Sequence, residues 1–369
     1  MPKTTEQLYQ EHLDEMFAPD PKFSDEDVER ILDRILQCLP NEGKLYKYRS
    51  IEGKAFDNAF DSLENGYLWL PKAEDLNDDE DTTLFYDPLK SAEEIKDYLF
   101  AHPYEFMSVV ASAPERKFKI GKTARDEFIV KRACDCYDKT TGELDKHKAV
   151  LEMVKDGIPK EKAVEQLNKV ESFIESYLKN NIKAVETLVD KHMKYNDNIR
   201  SLAYVYSMSE DFDCNQMWAY YANSNNGFCI EYDFNKSKEL PMEIKRKLIN
   251  LYRVKYVESV EEFSFEPLLE WFLCGQDEGI YNEENKRILN YLITKKIGWQ
   301  HEKEWRLFMT DIDNKLFADI VSGIIIDERA IHSENGSKLI TLAKEHAWKI
   351  KVRRTSITKT KHLYENWSE

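Results

Sequence analysis

The sequence predicts an α+β fold: a mixed, mostly antiparallel core sheet with flanking helices and a large all-helical insertion. Three observations predict it. Polar and apolar residues alternate over Lys44–Ser50, Ala203–Ser209 and Gly227–Asp233, the period-two signature of strands. Between residues 86 and 200 these patterns stop, and Glu161 to Arg200 repeats apolar residues at helical spacing, among them Val164, Leu167, Val170, Ile174, Leu178, Ile182 and Val185. The composition, 42% hydrophobic with 12 Gly and 11 Pro in 369 residues, supplies a core and too little flexible chain for disorder.

The elements follow in order. Ser24 precedes three acids, Asp25, Glu26 and Asp27, and then Val28, Ile31, Leu32, Ile35 and Leu36 fall on one face, so a capped helix is expected within an N-terminal helical extension, residues 1–40. Lys44–Ser50 reads as a strand, Phe56 to Leu63 as a helix closed by Asn65-Gly66, and Tyr67–Leu70 as a short strand. Residues 86–200 form the helical insertion. Strands return at Ala203–Ser209 and Gly227–Asp233, residues 236–250 and 260–298 read as mostly helical, and Lys303–Thr310 and Val321–Ile326 read as strands. Ala330 to Glu345 is expected to be a helix and Trp348–Arg354 the last strand. The core domain is thus 41–85 joined to 201–369, and no internal repeat is present.

Charge and cysteine usage exclude several function classes. Lys and Arg total 53 against 69 Asp and Glu, a formal charge of −16 that repels a nucleic-acid backbone unless basic residues gather on one face. Such a gathering exists at Lys344 to Lys361, where a charged edge strand and a phosphate-contacting track, with Tyr364 and Trp367 for stacking, are the two readings. Six cysteines without CxxC spacing read as reduced thiols, and the eight histidines have no HxxxH or HExxH spacing for zinc. No apolar run approaches the roughly 20 residues of a membrane span, and a cytoplasmic location is expected.

Three polar clusters lie on strand-like segments: Tyr48-Arg49-Ser50, Ser207-Met208-Ser209-Glu210, and His301 to Arg306. The strand period puts Ser207 with Ser209 on one face, and Glu302 with Glu304 and Arg306 on one face. Polar groups on a core face need partners, so an ion pair of Glu304 with Arg49 or Arg306 bracing the sheet is one use of them. Chemistry is the other. The acidic turn Asn77 to Asp81 offers a third arrangement, in which Asp78, Asp81 and Glu304 hold Mg²⁺ for a nuclease, although the ExK triplet Glu284-Asn285-Lys286 falls on a helical pattern. A solvated turn is the plainer reading of that segment, and no metal ligand is assigned.

Between the second and third clusters stand Met217-Trp218-Ala219-Tyr220-Tyr221-Ala222 and Gly227-Phe228-Cys229-Ile230-Glu231-Tyr232-Asp233. Together with Ser207-Met208-Ser209-Glu210 and Glu304-Trp305-Arg306, they resemble a widespread bacterial family catalogued as a domain of unknown function, with a pattern near SFSe, MWahYA, GfcIeyd and EWR. A weaker resemblance is to ADP-ribosyltransferases of the arginine-serine-glutamate type: Arg49, Ser207-Met208-Ser209 and Glu302-Lys303-Glu304 occur in that family's chain order.

The second resemblance implies NAD as a consumed substrate. Breaking the nicotinamide–ribose bond builds an oxocarbenium-like ribose, which Glu304 would stabilise while Arg49 holds the pyrophosphate. Ser207 would orient Glu304 or the ribose, Glu302 would steer the acceptor, and Tyr48, Ser209, Trp218 and Tyr220 would complete the cofactor site, with Trp218 or Tyr220 stacking on nicotinamide. The reading is therefore an ADP-ribosyltransferase-like bacterial toxin or phage-defence effector with a nucleic acid or protein as acceptor. A nucleotide- or partner-sensing binding module of a defence system, and the metal-dependent nuclease, are the alternatives.

Overall fold

The computed structural model describes residues 3–17, 23–76, 81–101, 132–133, 135–138, 143–180, 194–265, 267, 278–310, 314–354 and 363–367. The chain forms two compact units, one of residues 1–84, 197–261 and 286–369, the other of residues 85–196 and 262–285. The first unit includes the N-terminal helices, and the second draws in residues 262–285 from beyond the helical stretch.

Strands number in chain order β1 Lys44–Ser50, β2 Tyr67–Trp69, β3 Tyr137–Asp138, β4 Glu143–Leu144, β5 Tyr204–Ser209, β6 Gly227–Asp233 and β7 Leu251–Arg253. They continue as β8 Lys255–Val257, β9 Thr294–Lys296, β10 Glu304–Met309, β11 Lys315–Phe317, β12 Val321–Asp327, β13 Lys349–Arg354 and β14 Leu363–Asn366. Eight of them make the main sheet in the order β14-β13-β12-β6-β1-β5-β10-β7, in which only β12 and β13 run parallel. This is the mixed, mostly antiparallel sheet of the α+β class.

One face of the sheet carries Leu45, Met208, Phe228, Ile230, Tyr232, Trp305 and Leu307, buried with the helices Asp25–Cys38 and Gly53–Glu64. The first of these helices starts at the expected place because Ser24 and Asp27 cap each other's backbone amides, and its buried stripe is Val28, Ile31, Leu32 and Ile35. The other face buries Tyr46, Tyr48, Cys229 and Ile325 under Met217 and Trp218 of the short helix Asn215–Tyr221.

Some expectations need correction. The helical stretch is not all helix: its described helices Pro88–Ala101, Lys146–Lys155 and Lys160–Asn180 are accompanied by the ladder β3–β4, tied off by the Asp145 amide on the Cys136 carbonyl. The segments 236–250 and 260–298 are followed or ended by β7, β8 and β9, strands of three residues, too short to leave a period. Trp348–Arg354 is not the last strand, since β14 pairs with β13 and takes the edge. Arg353 of the basic stripe is fully buried against Asp327, so it contributes nothing to a phosphate track.

Candidate functional site

The geometry of the site begins with a gap in the sheet. β1 and β5 are neighbours but share only the pair Tyr46 with Ser209. Beyond that point β1 stays on β6 through Ser50, while the far half of β5 is taken by another segment: Val205 donates to the Pro71 carbonyl and Ala73 to that of Ala203. Between the diverging strands lies a cavity of about 280 Å³, near the lower end for small-molecule sites. Its walls include Tyr46, Lys47, Tyr48 and Arg49 of β1, Ser207 and Ser209 of β5, Trp69, Trp299, Tyr221, Asp81, Lys295, Glu302 and Glu304.

The pleat decides which groups reach it from where. The pairs Tyr46 with Ser209, Ser209 with Glu304, and Ser207 with Arg306 put these residues on one face. By the same alternation Lys47 and Arg49 stand on the opposite face and border the cavity through the gap. Arg49, Ser207 and Glu304 therefore line one cavity although they do not share one sheet face.

Glu304 lies inside an ion network. Arg306 binds it through Nε at 2.8 Å and Nη2 at 3.0 Å, and reaches Asp81 through Nη2 at 2.7 Å and the Leu292 carbonyl through Nη1 at 2.7 Å. Lys295 Nζ lies 3.0 Å from Glu304, 2.7 Å from Glu302 and 3.2 Å from Asp81. Three carboxylates thus share two cations, and all five groups are buried. Burial alone would raise the Glu304 carboxyl, but the charges of Arg306 and Lys295 and the hydrogen bonds from Arg306 and Ser207 hold it well below the ordinary carboxylate range. Burial likewise opposes the charge of Lys295, yet Glu304, Asp81 and Glu302 keep its ammonium above the usual lysine value. Glu304 pairs with Arg306, one of the two partners foreseen for it, and not with Arg49.

Glu302 does not sit on the strand as expected. It ends the 3₁₀ turn Ile297–Glu302, and Lys303 follows in the left-handed region at φ 43° before β10 starts at Glu304. The turn still aims Glu302 into the cavity, where Tyr221 Oη donates to it at 2.7 Å and Ser209 Oγ donates to its backbone carbonyl at 2.6 Å.

The two residues expected to stack on a ligand lie elsewhere. Trp218 is fully buried, donates from Nε1 to the Phe212 carbonyl at 2.8 Å, meets Tyr48 edge to face, and has the Arg353 guanidinium 4.5 Å from its ring. Arg353 is held by Asp327 at 2.8 Å, so this tryptophan fastens the short helix to the sheet. Tyr220 is 65% exposed and meets the His301 ring. Neither borders the cavity, whose tryptophans are Trp69 and Trp299, with Tyr46, Tyr48, Tyr206 and Tyr221 as further aromatic walls.

Sequence reasoning also missed Lys47, Lys295 and Tyr221. Tyr221 had a signal: it stands one helical turn after Met217, on the face that meets the sheet. Lys47 had one too, since alternation in Leu45-Tyr46-Lys47 puts it beside an apolar core position. Lys295, in a three-residue strand, had none.

The loop after the helix explains the rest of the motif. Asn223, Ser224 and Asn225 are consecutive left-handed residues, at φ 47°, 55° and 64°. At Gly227 a Cβ would lie 2.4 Å from the Arg49 carbonyl oxygen and 2.8 Å from Ala222 Cβ. Only glycine lets β6 close on β1 there. Gly227→Ala is expected to cost on the order of 3 kcal/mol, read as a lowered urea midpoint; an unchanged midpoint would mean that the two strands shift apart freely.

The carboxylates do not suit the Mg²⁺ arrangement. Asp81 and Glu304 are already engaged by Lys295 and Arg306, Asp78 lies outside the described residues, and no metal-holding cluster of His, Cys, Asp and Glu occurs among the described residues. No helix among them is long and apolar enough to cross a membrane.

Residues 217–307 match the family model described as "Protein of unknown function (DUF2971)". The matched stretch is about a quarter of the chain and runs from the short helix to the middle of β10, taking in Tyr221, Lys295, Glu302 and Glu304. This agrees with the domain-of-unknown-function pattern read in the sequence. Comparisons with curated proteins and with solved structures returned no match.

Proposed function

We propose that the cavity takes NAD and breaks its nicotinamide–ribose bond, an ADP-ribosyltransferase-like reaction. What supports this reading is that Arg49, Ser207, Glu302 and Glu304 line a single cavity with Trp69 and Trp299. Arg49 would hold the anionic pyrophosphate. Glu304, kept ionised by its cations and oriented by Ser207, would face the positive charge that develops on the ribose, a preorganised field of the kind that lowers such barriers. Glu302, steadied by Tyr221 and Lys295, would direct the acceptor, a nucleic acid or a protein. The tryptophans offer flat apolar walls for a ring. In a bacterial cell, consuming NAD in this way would serve a toxin or a phage-defence effector.

One observation favours a second reading, a nucleotide-sensing module without turnover: both carboxylate oxygens of Glu304 are already bound by cations. Labelled NAD separates the two. Released nicotinamide, with label on an added macromolecule, is expected for the wild type, and Glu302→Gln, which also weakens the Lys295 pair, is expected to lower label transfer per folded molecule about 10²-fold. NAD that binds but stays intact would replace the transferase with the sensor. NAD that does not bind would remove both.

A further inference from the structure

We propose that Lys47 is an amine nucleophile that captures a phosphate-bearing aldehyde as an imine inside the cavity. The two cavity lysines have opposite surroundings. Lys295 faces three carboxylates. Lys47 spans the gap between β1 and β5 to donate to the Ser207 carbonyl, and its ammonium lies 4.8 Å from the centre of the Tyr206 ring. Among the described residues no carboxylate stands within ion-pair distance of it, and Arg49 two residues on adds a like charge from the same side of β1. Lys47 is half-buried, and a cation partly removed from water without a counter-charge favours its neutral form. Burial first, then Arg49, depresses the Lys47 ammonium well below the ordinary lysine value, against the weaker pull of Glu304 and Glu302.

The class of ligand follows from the neighbours. A neutral amine is the form of lysine that adds to carbonyls. Arg49, which borders the same cavity and has no carboxylate partner among the described residues, suits a phosphate. In the step, the Lys47 nitrogen forms a bond to the aldehyde carbon while the C=O π pair moves onto oxygen. A proton passes from nitrogen to that oxygen, and the carbinolamine then loses water to leave the C=N bond. No oxidant or reductant takes part, and nothing in the step depends on NAD.

The test uses the full chain with pyridoxal 5′-phosphate as the probe, cyanoborohydride to reduce the imine, and peptide mass spectrometry to locate it. Lys47 is expected to be modified roughly tenfold faster than the exposed lysines, with a half-maximal pH well below that of an ordinary lysine. Unphosphorylated pyridoxal is expected to react there more slowly, and Arg49→Gln to erase that preference. Lys47→Arg, checked for folding by circular dichroism, is expected to lose the fast adduct. Labelling spread over surface lysines with Lys47 untouched, or a pH profile like theirs, would overturn the nucleophile. Equal rates for the two probes would overturn the phosphate preference. A labelled Lys47 in a protein that leaves NAD intact would sink the transferase and keep this inference; the reverse result would do the opposite.

Discussion

Glu304→Gln is expected to destabilise the protein by about 3 kcal/mol, most of it only while Arg306 is present. Arg306 is fully buried and its charge is met by Glu304 and Asp81. The glutamine keeps the shape of the side chain but removes one of those charges. Its amide nitrogen must also turn toward either Arg306 or Lys295, both of them donors, so one hydrogen bond becomes a donor facing a donor. Removing the cation as well, in Arg306→Met with Glu304→Gln, takes out the stranded charge. A double-mutant cycle should therefore show a coupling of about 2 kcal/mol. The measurement is the urea midpoint of the four proteins. Additive losses would mean that Lys295 alone balances Glu304 and that the guanidinium contacts contribute little.

The same variant bears on chemistry because stability and turnover separate. If Glu304 faces developing positive charge, NAD consumption per folded molecule falls about 10²-fold. If it is only a brace, consumption declines in step with the folded fraction. A destabilised but fully active Glu304→Gln would confine this residue to the ion network and leave Glu302 as the carboxylate of the reaction.

How far the sequence foretold this depends on the scale of the feature. The α+β class was legible because strands such as β1 and β6 have seven residues, long enough for alternation to register. The shared face of Glu304 and Arg306 followed from the same period. Lys295 and Asp81, which complete the network, come from a three-residue strand and from a turn, where no period exists. Trp218 was misassigned for a different reason. An aromatic residue on a short amphipathic helix fits a ligand wall and a packing anchor equally well in sequence, and here Arg353, 135 residues later in the chain, makes it an anchor. The gap between β1 and β5 was not legible, because a missing pairing leaves no residue signature. Yet that gap is what brings Lys47 and Arg49 of one face to the cavity with Ser207 and Glu304 of the other.

Acid is expected to loosen the protein above the range where carboxylates titrate, and His12 is the residue responsible. It is fully buried near the rings of Tyr9 and Tyr252, on the helix Thr5–Met16. Burial, and then the charge of Arg34, lower its pKa to about 4, against opposing contributions from Glu15 and the Leu251 backbone. The unfolded chain offers a histidine of about 6.5, so between these values the unfolded state binds a proton that the folded state refuses. Stability is then complete above pH 6.5 and is lost progressively as pH falls toward 4, by about 3 kcal/mol in total. Glu304, with its lowered pKa, begins to lose its contribution only as pH falls into the ordinary carboxylate range, so the interval from pH 6.5 to 5 isolates the histidine. His12→Phe keeps a ring among rings and cannot titrate. Its urea midpoint should change much less across that interval than the wild type's. Parallel slopes for the two proteins would show that His12 takes up its proton in the folded state as readily as in the unfolded one.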